Sequence, residues 1–217
     1  DIGFNLHNQQ ELTTAGDSAR QAAISLLVVY GDEAKTPTDG LSRNERVASE
    51  MVTALNKFIS GHIGRYDDEW TPSAFGDNFS AWGTPVILIE TGALNGKDEM
   101  YLVKMNFIAI MTAIRSIVTG SEKNQSNLLY VDLPHNTSGR VINYVFRRAN
   151  VVAKGTEINY KMSDIAAVSL RRRASFAPNV VIRSVGPSLS IAGLDEYDAS
   201  GFNVIHRFTD IKTGQFA

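Results

Sequence analysis

The chain contains no cysteine, which excludes disulfide bonds, thiolate metal sites and a cysteine nucleophile. Charge of one sign is also missing. A net charge of −2 over 217 residues gives no global field to recruit nucleic acid or an anionic membrane surface, so neither is an expected partner. No uninterrupted apolar run reaches the about 18 residues of a membrane span, and the longest, FIAIMTAIRSIV, is broken by Arg115. Neither HExxH nor HxxE occurs. His7 and Glu11 come nearest, one residue too far apart, and His62, His135 and His206 have no acidic partner at ligand spacing. The chain therefore does not spell out a three-ligand catalytic zinc site by itself.

What remains is an ordinary globular composition, 43% hydrophobic with both charge signs represented, enough for one large domain or two modest ones. IGFNLH alternates like a strand, and AAISLLVVY is apolar throughout, like a buried one. Ser42 and Glu45 form a capping-box pattern ahead of a helix carrying Val47, Met51, Leu55, Phe58 and Ile59, with Gly61 as its stop. TPVILIE predicts a third strand. From Asp98 to Thr119 a long helix is expected, with Val103, Phe107, Ile110, Ile114 and Ile117 on one face and Gly120 ending it. Strands alternating with helices predict an α/β layer sandwich with a parallel or mixed sheet. GSEKNQSN (120–127) reads as a linker. Beyond it NLLYVDLP, RVINYVFRRANVVA, IAAVSLRR, NVVIRSVG and FNVIHRF predict a small all-β module, dividing the chain into 1–123 and 124–217.

Two residues stand where chemistry is expected. His7 ends a strand, where a lone histidine is more often a hydrogen-bonded structural residue than a ligand. Glu90 closes the apolar VILI, and a carboxylate at a strand's carboxyl end against apolar walls would have its pKa raised toward a general-base value; the plain alternative is a glutamate reaching solvent. Residues 65–83, RYDDEWTPSAFGDNFSAWG, form a long aromatic loop of the kind that lines a pocket, or else one packed over the core around a short helix at 74–81. Asp67, Asp68 and Glu69 read as solvated acids, and Arg171, Arg172 and Arg173 as an edge-strand charge block.

FNLHNQ and GRYDDEWTPSAFGDNFSAWGTPVILIETG, in that order, resemble the zinc carboxypeptidase family, the carboxypeptidase A-like metallopeptidases, over about residues 1–120. The resemblance implies that His7 is the family's third zinc ligand. Glu90, 83 residues later, would be its catalytic base, and Tyr66, 24 residues before Glu90, its mobile-loop tyrosine. Asn8, Phe75, Asp77, Asn78, Phe79 and Trp82 would contact a peptide substrate. It also implies a zinc cofactor whose HxxE ligands lie upstream of Asp1, so that these 217 residues form the C-terminal part of the catalytic domain plus a β-rich accessory module. Such a part would be inactive alone, would expose sheet surface that invites self-association, and would belong to an extracytoplasmic protein. An aspartoacylase-like amidohydrolase acting on N-acyl amino acids would share the same half-site. A non-catalytic binding module would lack HxxE altogether.

Overall fold

The computed structural model describes residues 2–67, 69–153, 159–170 and 179–206, and is a mixture of α and β in two compact units, Asp1–Ser138 and Gly139–Ala217. In the first, a four-stranded mixed sheet runs in the order β1 (Gly3–Asn8), β5 (Val86–Thr91), β3 (Ile24–Val29), β4 (Ile63–Arg65). β1 lies parallel to β5 and β4 parallel to β3, while β3 and β5 are antiparallel. All six residues of β3 are buried, as a continuous apolar run requires when both faces of a strand are covered.

The two faces are covered differently. Ile24, Leu26, Val28, Ile87 and Ile89 join a core with α1 (Asp39–Ile59) and α3 (Glu99–Thr119). Leu27, Val29, Val86 and Leu88 point the other way and carry Tyr66 and α2 (Phe75–Ala81), whose buried Gly76 presses against Val29 and Val86. This two-step alternation is the pleat at work.

Three expectations are corrected here. α1 begins at Asp39, capped by the Thr38 hydroxyl, which accepts from the Leu41 N–H at 3.0 Å, so Ser42 lies inside the helix and Phe58 is exposed. α3 has the expected ends, with Asp98 as N-cap and a left-handed Gly120 (φ 71°) after it, but of its expected apolar face Ile110 and Ile117 pack on the core while Val103, Phe107 and Ile114 are exposed. Leu102, Met105, Ala109, Ala113 and Ser116 are buried, while Met100, Val103, Phe107, Met111, Ile114 and Val118 stand 42–79% exposed. With apolar residues all round, periodicity did not mark the inward side, and small alanines won it because α1 packs closely there. By length and composition alone α3 could cross a bilayer, even with Lys104 and Arg115 in it.

The third correction concerns 120–134, where the expected linker and the expected strand NLLYVDLP give way to other structure. Ser121–Asn124 is a 3-10 turn, Leu128–Val131 forms the short α4, and Asn136–Thr137 (β6) pairs with Thr14–Ala15 (β2). Tyr130 is 1% exposed. Its hydroxyl accepts from the Val28 N–H at 2.8 Å, on the side where β4 has already ended. Burial pushes that phenol up to about 12. The unit thus closes after Ser138, not at residue 123.

The second unit is all β in its described residues. Here β7 (Val141–Ala153) pairs with β8 (Asn159–Leu170), β10 (Ala192–Asp198) and β11 (Asn203–His206), and β8 pairs with β9 (Asn179–Gly186); the sequence pattern did not reveal β10. Arg147 knits the sheet, donating to Asp164, Glu196 and the carbonyls of Leu189 and Ile191 at 2.6–3.0 Å. Burial pushes the Asp164 carboxyl up, but hydrogen bonds from Arg147 and from the Arg148 and Leu189 N–H groups outweigh it and hold the group below the usual range. Arg171–Arg173 and Asp68 lie outside the described residues.

Candidate active site

Register places the site. His7 is the partner of Glu90 across β1 and β5, Glu90 of Ser25 across β5 and β3, and Ser25 of Gly64 across β3 and β4. Directly paired residues share a face, so His7, Glu90 and Ser25 form one row on the α2 side of the sheet. Because β1 and β5 are parallel, His7 and Glu90 stand at the same, carboxyl end of adjacent strands.

Their environments differ. His7 is 55% exposed at its side chain and Glu90 only 5%, with the imidazole Nδ1 3.8 Å from Oε1 of the acid. The other carboxylate oxygen of Glu90, Oε2, is buried and has no hydrogen-bond partner among the described residues. Burial raises the Glu90 pKa, and the nearby imidazole lowers it again in part. A buried carboxylate with one oxygen unpartnered, 3.8 Å from an open imidazole, is not a satisfied ion pair.

Tyr66 follows β4, packs on Leu27, Val29, Val86 and Leu88, and has its phenol pKa raised by burial, by the Glu90 charge and by Asp67. It therefore belongs to the neighbourhood of Glu90. Asn8 follows His7 and, by strand alternation, turns to the other face.

The expected substrate contacts in the loop are not brought to this row. α2 covers the Val86 end of β5, opposite Glu90. Phe75, Phe79 and Trp82 are exposed and contact one another, with ring centroids 6.2 and 5.6 Å apart. Asp77 accepts from the Thr71 N–H at 2.8 Å, and Asn78 donates to the carbonyls of Pro72 and Ala74. These two side chains staple their own loop, which accounts for the polar residues of the motif.

Sequence reasoning missed Gln9, Ser25 and Asn136. Their side chains join beside the row: the Gln9 amide donates to Ser25 Oγ at 3.0 Å, the Ser25 hydroxyl donates to Asn136 Oδ1 at 2.9 Å, and the Asn136 amide donates to Gln9 Oε1 at 2.7 Å. The signal available was Ser25 itself, the one hydroxyl in the apolar stretch 22–29, since a buried hydroxyl needs a partner.

For a metal, the described residues offer no cluster of three or more His, Asp or Glu groups. His7 fits as a single ligand, open and with Glu90 behind it. His62 is engaged with the Gln21 carbonyl at 2.7 Å, and His135 lies beside Arg65. A catalytic zinc takes three protein ligands, so these residues alone do not hold one. No family model, curated protein or solved structure matches the chain.

Proposed function

We propose that the first unit is the C-terminal part of a zinc carboxypeptidase-like mixed-sheet sandwich, and that it acts in a zinc-dependent metallopeptidase that hydrolyses peptide bonds. The observation that carries this reading is the His7–Glu90 pair: an exposed imidazole and a buried, raised-pKa carboxylate on adjacent parallel strand ends, 3.8 Å apart.

In this reading His7 supplies one zinc ligand through its neutral imidazole, and polypeptide outside these 217 residues supplies the others. Bound zinc would polarise the scissile carbonyl and acidify water. Glu90 would take the proton from the attacking water and pass it to the leaving amine, and burial, by raising its pKa, makes it a stronger base for that shuttle than a solvated carboxylate. Tyr66, kept as a neutral phenol, donates a hydrogen bond to substrate near the reacting carbonyl.

The surfaces left open suit such a partner. Among the described residues no strand pairs with the outer edge of β1, and β1 carries no lysine or proline to blunt that edge. The exposed apolar stripe of α3 is larger than scattered surface hydrophobics need to be. An added strand and helix bearing the remaining ligands would cover both, and without them the chain would self-associate through the same surfaces.

The test loads the ligand-complete protein with zinc and measures metal content and peptide hydrolysis. His7→Ala should lower both, with zinc affinity falling at least about 10-fold. Undiminished zinc content in that variant would defeat the assignment. A non-catalytic binding module is the second reading, favoured by the lone candidate ligand among the described residues; it predicts no hydrolysis of peptides or of N-acyl amino acids under any metal loading. A panel of both substrate types also separates peptidase from aspartoacylase-like action.

A further inference from the structure

We propose that Gln9 is the positioning residue of this half-site, its side chain closing a clasp with Ser25 and Asn136 that fixes the two strand ends carrying His7 and Glu90. The proposal rests on the function assigned above and concerns how its geometry is held.

Gln9 lies two residues beyond His7. Its backbone N–H continues the ladder to β5, donating to the Thr91 carbonyl at 3.0 Å. Its side chain then crosses β5 and reaches β3, where Nε2 donates to the Ala22 carbonyl at 2.8 Å as well as to Ser25 Oγ at 3.0 Å. One residue thus ties the end of β1 to β5 and, across it, to the β3 side, spanning the strand that bears Glu90.

Two glycines leave room for it. A Cβ at Gly92, two residues after Glu90, would sit 2.2 Å from the Ala22 carbonyl oxygen and 2.9 Å from Gln9 Nε2. A Cβ at Gly64, the register partner of Ser25, would sit 2.2 Å from Asn136 Oδ1 and 3.0 Å from Ser25 Oγ. The backbone on both sides is bare where the clasp passes over it.

The ring also has one sense only. Gln9 Nε2 gives to Ser25, the Ser25 hydroxyl gives to Asn136, and Asn136 gives back to Gln9 Oε1, so each amide has a single orientation that satisfies the others. A closed ring loses more than one bond when any member is cut. It stands in the row of Glu90, because Ser25 is that residue's cross-strand partner, yet none of its donors goes to the free Glu90 Oε2. It places the acid's strand without occupying the acid.

Gln9→Met keeps the volume and removes every side-chain hydrogen bond of Gln9; Asn136→Ala cuts the ring from the loop side and serves should the first variant fold poorly. Two readouts are taken well below the melting temperature. In the metal-free chain, NMR cross-peaks between the His7 ring and the Glu90 side chain should weaken in either variant. In the ligand-complete enzyme, kcat should fall about 10- to 100-fold with KM within about twofold, as for other residues that orient a metal ligand. A clasp that only stabilises would lower the melting temperature and leave the cross-peaks and kcat as in the parent, and that result would overturn the proposal. The NMR arm needs neither zinc nor substrate, so it fails or succeeds independently of the peptidase reading.

Discussion

At Glu90, burial acts against the charged form, and the sign of its pH dependence follows. A carboxyl whose folded-state pKa lies above its unfolded value binds its proton more readily when folded. Its ionisation therefore weakens the fold progressively as pH rises from the unfolded value of about 4.3 through the folded one, and the loss is complete above that. Glu90→Gln removes the titration. In the metal-free chain, the melting temperature of this variant relative to the parent should rise as pH climbs from about 4 and level off once the folded carboxyl is ionised. A difference that stays flat across that range would mean the acid is not held in the environment described. Ser25 shows the limit of the sequence at this scale. One hydroxyl in an apolar strand announced a partner, but the partners sit at positions 9 and 136, and nothing local connects residues so far apart in the chain.

Elements were legible where a pattern had one meaning. β3 and β5 are continuous apolar runs bounded by turn residues, and the structure has them as buried central strands. That His7 and Glu90 each end a strand was legible in the same way, while the β1–β5 pairing sets their adjacency. α3 was legible in extent but not in orientation, because apolar residues lie all round it. α4 was not legible, since LLYV is as good a short strand as a helical turn until Tyr130 finds the Val28 N–H. The corrected orientation is testable. Ala113, 0% exposed, should not accept a larger side chain, and Ala113→Leu should cost about 1–3 kcal/mol by overpacking. Phe107→Ser, on the exposed stripe, should stay within about 0.5 kcal/mol in the monomeric chain. Urea melts of both variants decide which face is inside.

For the whole molecule the division after Ser138 matters most. A chain cut after residue 123 loses Tyr130, whose hydroxyl satisfies a buried strand N–H, together with Asn136 and the β2–β6 pair. A chain cut after residue 138 keeps them. The shorter product should fail to show a cooperative thermal transition and the longer one should retain it, as read by circular dichroism. The second unit should be sensitive to Arg147→Met, which leaves Asp164, 5% exposed, without its guanidinium partner; breaking a buried pair from one side costs about 3–5 kcal/mol. The proposed role of Glu90 as the base of a peptidase half-site has one direct measurement: turnover of Glu90→Gln in the zinc-loaded, ligand-complete protein. It should fall at least about 100-fold with zinc content unchanged, and turnover equal to the parent's would contradict the claim.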